Sequence, residues 1–503
     1  NKERGDKKEN KKLNTVQPIQ KLYASQATAG AGKDTVLMNT TFSALDKIRE
    51  VYFIGIGGIG MSAVARFFHA KGVKVSGYDK TATPLTKELE ASGIVVRYEE
   101  SVESIPQQPD LVVYTPAIPT THKELLHYQQ QGQKVVKRSD VLQIISEGSF
   151  NICIAGTHGK TTITTMVAHL LRDTGFGCNA FLGGISVNYG TNFWSDPKNV
   201  CVIEADEYDR SFLKLSPDVA IITAMDADHL DIYGTAESVE QAFVDFSKRV
   251  KPGGIVIGKF GLDRTSELKS QNYLSYSLQN ESADVYATNI RMMDGSYEFD
   301  VVWKDKLLDN VRLNMGGMHN VENAVAAIAV ANRLGIEGAK IKAAVENFRG
   351  VKRRFEYIVK KPTLVYVDDY AHHPEELRAL ITGAKALFSQ KKCTVIFQPH
   401  LFSRTRDFAE AFAEVLSMAD ELILLPIYPA RELPIEGVTS EMILEKVTAK
   451  KKTVLTKAQV IEWVNDSFIK NRNTEFGELI ITAGAGDIDT LVPQLKEKLA
   501  TLE

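Results

Sequence analysis

Asn151–Arg172 reads NICIAGTHGKTTITTMVAHLLR. Its apolar, β-rich run Ile152–Ala155 breaks into Gly156-Thr157-His158-Gly159-Lys160-Thr161-Thr162. The pattern then turns helical, with Met166, Val167, Leu170 and Leu171 on one side. Strand, glycine turn, Lys-Thr and helix start are the parts of a phosphate cradle. Backbone N–H groups point inward, the helix N-terminus favours an anion, and Lys160 adds a point charge. Thr161 would offer its hydroxyl to a magnesium ion. The spacing departs from G-x-x-x-x-G-K-[ST], because Ile154 stands where the first glycine belongs. An ordinary strand–turn–helix with a surface lysine is the competing reading. The flanking strand and helix favour a nucleoside triphosphate.

At 503 residues the chain has room for about three domains. Its 44% hydrophobic and 24% charged content is that of a globular protein. A net charge of −3 points to neither nucleic acid nor an anionic membrane. No apolar run approaches the ~20 residues that span a bilayer. Cys153, Cys178, Cys201 and Cys393 are scattered, with no C-x-x-C pair, so reduced core thiols are expected and a cytoplasmic enzyme is the default.

Residues 1–37, from NKERGDKKENKKLN to ATAGAGKD, are too polar and too small-residue-rich to build a core. Disorder is expected there, as an extension ahead of a start at Met38. From Val51 strands and helices alternate. Val51–Ile54 reads as a strand, and Gly55-Ile56-Gly57-Gly58-Ile59-Gly60 matches G-x-G-x-x-G. A helix over Met61–Ala70 follows, then a strand Lys74–Gly77 with Asp79 at its end. This fingerprint suits a pyrophosphate at the loop and a ribose hydroxyl at the acid, without telling NAD, FAD and a UDP-sugar apart. Two phosphate loops in one chain favour a ligase or kinase over a dehydrogenase.

In the second unit, strand Val200–Ile203 delivers Glu204-Ala205-Asp206-Glu207-Tyr208-Asp209, read either as a magnesium site or as a solvated acidic turn. Strand Val219–Thr223 leads to His229 between carboxylates, a metal ligand, a phosphate contact or a structural histidine. Asn320 and Asn323 lie one helical turn apart before an alanine-rich helix; caps, packing groups and a nucleotide grip all remain open. After Gly350 the pattern restarts. Lys352-Arg353-Arg354 reads as a solvated basic surface, and strands Thr363–Val367, Thr394–Phe397, Leu422–Leu425 and Leu479–Thr482 each end in polar residues. That is the edge of an open parallel sheet, where ligands bind.

Together GIGGIGMS, AGTHGKTTIT, EADEYDRSF, DADHLDIY, GMHNVENAVAA, RRFE, DDYAHHPEE, QPHLFSRTRDF and TAGAGDI stand in the order seen in the Mur ligases. The chain resembles that family from about Lys47 to its C-terminus, in the branch that adds L-alanine. The resemblance implies an α/β fold of three domains: an N-terminal Rossmann-like UDP-binding domain (38–148), a central P-loop ATPase-type domain (149–350) and a C-terminal Rossmann-like, amino-acid-binding domain (351–503). It implies that ATP, with Mg2+, activates the lactyl carboxylate of UDP-N-acetylmuramate as an acyl phosphate, which L-alanine then attacks.

By the same resemblance Gly156, Thr157, Gly159, Lys160, Thr161 and Thr162 cradle the ATP phosphates, and Thr161, Glu204 and His229 hold metal. His319 and Asn323 lie beside the adenine and Asn320 near the phosphates. Arg354 reaches the γ-phosphate and Asp369 the ATP ribose. Gly55, Gly57, Gly58 and Gly60, with Asp79, hold the UDP-sugar. Tyr370, His372, Arg404 and Arg406 surround the amino acid, His372 as candidate base. Many members carry a second arginine where this chain has Leu401, and Arg406 is the expected substitute. Other branches use a carbamylated lysine beyond the metal histidine; Phe243-Val244-Asp245-Phe246 offers none, as in the alanine-adding branch. The rivals are a recycling ligase that attaches a preformed tripeptide to the same UDP-sugar, an NAD-dependent oxidoreductase reading Gly55–Asp79, and a non-catalytic UDP-sugar sensor.

Overall fold

The computed structural model describes residue 45 and residues 47–208, 210–226, 230–269, 272–304, 306–430 and 432–502. The leader 1–37 and His229 lie outside the described residues, so the expectations placed on them have no structural counterpart here.

Three sheets follow one another along the chain. The first has five parallel strands, β1 (Glu50–Ile54), β2 (Lys74–Tyr78), β3 (Val95–Arg97), β4 (Leu111–Tyr114) and β5 (Val135–Lys137), in the order β3-β2-β1-β4-β5. The order reverses between β1 and β4, so the loops leaving them diverge and open a crevice at the strands' C-terminal ends. The Gly55–Gly60 loop and Thr115 stand there. Gly55 has φ +87°, and a Cβ on it would sit 2.7 Å from Thr115 Cγ2, so glycine is required by both conformation and space.

The second sheet has ten strands: β6 (Phe150–Ala155), β7 (Asn179–Phe181), β8 (Phe193–Trp194), β9 (Val200–Glu204), β10 (Val219–Ile222), β11 (Ile255–Lys259), β12 (Tyr273–Ser277), β13 (Val285–Met293), β14 (Ser296–Trp303) and β15 (Lys306–Leu313). Their order is β15-β14-β13-β12-β11-β10-β6-β9-β7-β8. The strands from β13 through β10 and β6 to β7 are parallel, whereas β13–β14–β15 form an antiparallel meander and β8 pairs antiparallel with β7. Asp294 (φ +47°) and Gly295 (φ +71°) make the two-residue turn between β13 and β14.

The third sheet comprises β16 (Glu356–Lys360), β17 (Leu364–Asp369), β18 (Lys392–Phe397), β19 (Glu421–Leu424), β20 (Lys451–Val454) and β21 (Glu478–Ala483), ordered β16-β17-β21-β18-β19-β20. Only β16 runs antiparallel.

The cores of neighbouring sheets merge. Helix Ile59–Ala70 turns Phe67 away from its own sheet onto Phe181 and Phe193, at ring-centroid distances of 5.5 and 6.2 Å. Asn192 Nδ2 donates across the same seam to Ser62 Oγ at 2.9 Å. On the other side, the Asp294–Gly295 turn docks on the third unit, where Tyr357 Oη donates to Gly295 O at 2.7 Å and Phe388 covers Gly295. One buried apolar cluster therefore contains Val202, Phe299 and Ala324 together with Val367, Leu380 and Val395. Among the described residues no helix is long and apolar enough to cross a membrane.

Candidate active site

The strand end of β6 carries the turn quoted at the outset. Gly156 takes φ +133°, and a Cβ there would lie 2.0 Å from Thr223 Oγ1 and under 3 Å from two backbone nitrogens, so the loop closes against β10 only with glycine. Gly159 (φ +80°) caps the helix Lys160–Asp173. Lys160 Nζ folds back to Gly156 O at 2.7 Å and pairs with Glu207 Oε1 at 2.7 Å. The Glu207 side chain is 2% exposed; burial raises its carboxyl's pKa and Lys160 pulls the other way. Thr161 Oγ1 donates to Glu204 Oε1 at 2.9 Å, and Gly183 N donates to Glu204 Oε2 at 2.9 Å. Desolvation raises the Glu204 carboxyl, with Lys160 and Thr161 opposing.

The acidic stretch after β9 is therefore divided rather than a uniformly solvated turn: Glu204 meets Thr161, Glu207 meets Lys160, and Asp206 turns toward Arg138 at 3.8 Å. Glu207 and Arg138 were not singled out by sequence reasoning. Spacing told that acids follow the strand but not which of them face inward. Thr157 is buried, its hydroxyl 3.3 Å from Asp226 Oδ2, and Thr162 is buried under the helix start.

Asn320 and Asn323 are buried and bonded to each other, Asn323 Nδ2 donating to Asn320 Oδ1 at 3.0 Å and Asn320 Nδ2 to Gly316 O at 2.6 Å. Asn323 Oδ1 lies 3.0 Å from where a Cβ on Gly159 would be, directly against the phosphate loop. His319, one residue earlier, is exposed.

Asp79 serves the first glycine loop by pinning it, its Oδ2 accepting Gly57 N at 2.8 Å and its Oδ1 accepting Thr81 N at 3.2 Å. Between the first two sheets lies a cavity of about 270 Å³, lined by Gly58, Gly60 and Arg138 from one and by Gly183, Glu204 and Asp206 from the other.

In the third unit Asp369 accepts Phe355 N and Ala371 N, both at 2.7 Å. The neighbouring Asp368 carboxylate accepts from Thr482 Oγ1 at 2.6 Å and faces Arg353 Nε at 3.3 Å; burial pushes it up to about 7. Arg353 thus departs from the solvated surface expected of Lys352–Arg354: it reaches inward and also bonds Gly484 O. Arg354 is exposed, 5.5 Å from the Tyr370 ring. Tyr370, His372 and His400 form a chain of edge-on rings at 5.4 and 6.0 Å, and Arg404 Nη1 lies 3.3 Å from His400 Nδ1. Arg406 does not join them. Its guanidinium pairs at the surface with the adjacent Asp407 at 2.7 Å. Leu401, at φ +70°, starts the helix that carries both arginines and is held by Leu401 N donating to Tyr428 O at 2.9 Å.

Among the described residues no three His, Cys, Asp or Glu side chains gather as metal ligands. What does gather at the phosphate loop is a hydroxyl and a carboxylate, Thr161 and Glu204, hard oxygen donors of the kind magnesium takes.

Fold and site define a three-domain α/β protein in which a glycine-rich crevice faces a phosphate loop. The chain matches the family models "Mur ligase family, catalytic domain" over residues 50–149, "Mur ligase middle domain" over 154–331 and "Mur ligase, glutamate ligase domain" over 353–486. It is 46% identical over 462 residues to UDP-N-acetylmuramate–L-alanine ligase of Cytophaga hutchinsonii, covering 90% of this chain and 97% of that one. With the enzyme of the same name from Parabacteroides distasonis it shares 47% identity over 463 residues, 90% and 98% of the two chains. The crystal structure of UDP-N-acetylmuramate–alanine ligase from Thermotoga maritima superposes with a TM-score of 0.75 at 29% identity, over 90% of this chain and 99% of the other. A murein peptide ligase from Psychrobacter arcticus shares the fold, with a TM-score of 0.62 at 23% identity. This protein belongs to the Mur ligase family.

Proposed function

We propose that the protein joins L-alanine to the lactyl carboxylate of UDP-N-acetylmuramate, consuming ATP and passing through an acyl phosphate, in the cytoplasmic synthesis of peptidoglycan precursors. The observation that carries this reading is the shared cavity, where the glycine loop after β1 faces Glu204 at the phosphate loop. A substrate bound by its diphosphate at Gly55–Gly60 extends from there toward the γ-phosphate of an ATP held at Gly156–Thr162. The proposed division at residues 148 and 350 assigns one substrate to each unit.

A carboxylate is a poor electrophile, and phosphorylation supplies a leaving group. Lys160 neutralises phosphate charge where two anions approach, and Arg354, exposed and 5.5 Å from the Tyr370 ring, is proposed to reach the γ-phosphate. Thr161 would hold one Mg2+ at the phosphates and Glu204 with His229 a second, and the ions would offset the negative charge of the triphosphate. On the same reading His319 and Asn323 lie beside the adenine, Asn320 near the phosphates, and Asp369 meets the ATP ribose. Tyr370, His372 and Arg404 are proposed to receive alanine, Arg404 pairing with its carboxylate.

His372 is the proposed base, and its surroundings favour the neutral imidazole. Burial holds it below its ordinary value, Arg404 and Arg354 push the same way, and Glu376 and the Tyr370 carbonyl oppose them. With Nδ1 3.1 Å from Tyr370 O, the Nδ1–H tautomer leaves Nε2 to accept a proton from the alanine ammonium. A depressed value means that the imidazole takes up its proton only at a lower pH than a free imidazole does. His372→Ala is expected to lower kcat about 100-fold and to remove the acid limb of the pH–rate profile. Full activity at saturating alanine would end that role.

The test of the function is phosphate release from ATP and Mg2+ on adding UDP-N-acetylmuramate, then L-alanine or the tripeptide separately. Release that needs the UDP-sugar and L-alanine together is the expected result. Preference for the tripeptide would assign the protein to recycling, and no release with either amino component would overturn the ligase reading.

A further inference from the structure

The loops that leave β18 and β19 lie side by side, because the two strands are parallel neighbours. They stay paired beyond the sheet, Tyr428 N donating to Pro399 O at 2.8 Å and Leu401 N to Tyr428 O at 2.9 Å. The first loop runs into the helix Phe402–Asp407, which carries Arg404. That helix has a poor start of its own. Its cap residue, Leu401, has no side-chain oxygen to accept the N–H groups of the first turn. At six residues the helix is also too short to hold its shape without outside contacts.

The missing acceptor comes from the second loop. Glu432 Oε2 accepts Ser403 N at 3.0 Å, and Glu432 Oε1 accepts the Ser403 hydroxyl. Glu432 N donates in turn to Pro429 O at 2.9 Å, which fixes the turn that presents the carboxylate. The Ser403 hydroxyl and N–H hold the Glu432 carboxyl below its usual value, with smaller contributions from the Phe402 N–H and the Arg404 charge. Both carboxylate oxygens are thus committed to the helix start. Arg404, one residue further on, pairs with no carboxylate among the described residues; its Nη1 lies 3.3 Å from His400 Nδ1. Arg406, the other arginine of the helix, is claimed by Asp407. Arg404 is the one left for a ligand.

We propose that Glu432 is a positioning residue for the amino-acid substrate: by capping the helix Phe402–Asp407 from the neighbouring loop, it sets the direction of Arg404 and leaves that guanidinium free for the carboxylate of L-alanine. This rests on the function proposed above. An acid beside an arginine ordinarily competes with an anionic ligand for it. Here the donors of Ser403 and the positive end of the helix take up the negative charge, so Glu432 orders the arginine without occupying it.

The experiment is steady-state kinetics of phosphate release by the full chain, with ATP, Mg2+ and UDP-N-acetylmuramate present and L-alanine varied. In Glu432→Ala, KM for L-alanine is expected to rise about 10-fold, the usual effect of losing a charged helix cap. Under the same substitution kcat at saturating alanine, and KM for ATP and the UDP-sugar, are expected to stay within about two-fold, because the reacting atoms are untouched. Glu432→Gln, which keeps one oxygen for Ser403, is expected to lose about 3-fold. Ser403→Ala combined with Glu432→Ala is expected to bind alanine no worse than Glu432→Ala alone, since the two residues act as one contact. Leu433→Ala, next along the same loop and 85% exposed, is expected to change nothing. A fall in kcat with KM for alanine unchanged, or an equal rise in KM for all three substrates, would make Glu432 a general support of the fold and overturn the proposal. So would a lower KM for alanine in Glu432→Gln, which would show the acid repelling the substrate, or a rise in Leu433→Ala equal to that in Glu432→Ala. Thermal melting of Glu432→Ala and Glu432→Gln checks that folded proteins are compared. If the unaltered protein releases no phosphate with L-alanine, the ligase reading falls as well; if it does and Glu432→Ala keeps its KM for alanine, only this proposal falls.

Discussion

Lys160→Ala is expected to abolish ATP-dependent phosphate release, by about 1,000-fold or more, because the lysine is the cation at the phosphate loop where transferring charge develops. The structure adds a second consequence. Lys160 is bound to Glu207, whose carboxylate is almost wholly buried, and removing the lysine takes away the cation opposite that charge. Breaking a buried pair from one side costs about 3–5 kcal/mol, and the low end applies here because burial already raises the Glu207 carboxyl toward its neutral form. The single variant is therefore expected to melt at a lower temperature as well as to lose activity. Lys160→Ala/Glu207→Gln removes both charges and is expected to recover most of the stability but none of the activity. Activity recovered along with stability would mean that Lys160 matters for folding alone.

Glu204→Gln is expected to show the opposite separation. The substitution keeps the shape and leaves one oxygen to accept from Thr161 Oγ1 or Gly183 N, so one hydrogen bond worth about 1 kcal/mol is lost. Against that, a carboxylate whose ionisation burial disfavours is replaced by a neutral amide. The two effects are of similar size, and melting is expected to change by only a few degrees. Phosphate release is expected to fall about 1,000-fold, because an amide oxygen lacks the charge that holds a divalent cation. Titration of Mg2+ checks the cause: the variant should need far more of the ion for its residual rate. A variant retaining more than a tenth of the activity would remove Glu204 from the metal site.

Much of this architecture was legible because strand, glycine turn and helix recur at Ile54–Ile59 and Ala155–Lys160, and such units build parallel sheets almost automatically. The meander β13–β15 interrupts that rhythm. Its signal was present in Asp294-Gly295, a dipeptide suited to two successive positive φ values, but it lies in a polar stretch without a strong period. Within the site, the turn Gly156–Thr162 was readable because its chemistry is tied to short spacing, whereas Glu204 was singled out only by the family resemblance. Glu207 and Asp206 were indistinguishable from Glu204 until the backbone turned each to a different partner. Arg353 and Arg354 are likewise neighbours in sequence, and only the left-handed conformation at Arg353 (φ +62°) sends one to Asp368 while its neighbour stays exposed. Arg406 lies two residues beyond Arg404 on a helix, so it faces away, and a surface aspartate claims it. Leu401 reads in sequence as an ordinary apolar residue, yet it holds a strained backbone at the edge of the proposed alanine site.

The turn at Asp294–Gly295 has a bearing on how the molecule can be taken apart. Tyr357 and Phe388 close over it, and the apolar interior runs through from the central sheet to β17 and β18. Cutting the chain near residue 350 would leave Gly295 and its neighbours facing water on one fragment, and the Phe388 face uncovered on the other. Each piece would carry a sticky wound where the intact protein has a seam. Reassembly of the separated pieces by mixing is then a problem of shielding that surface while they find each other.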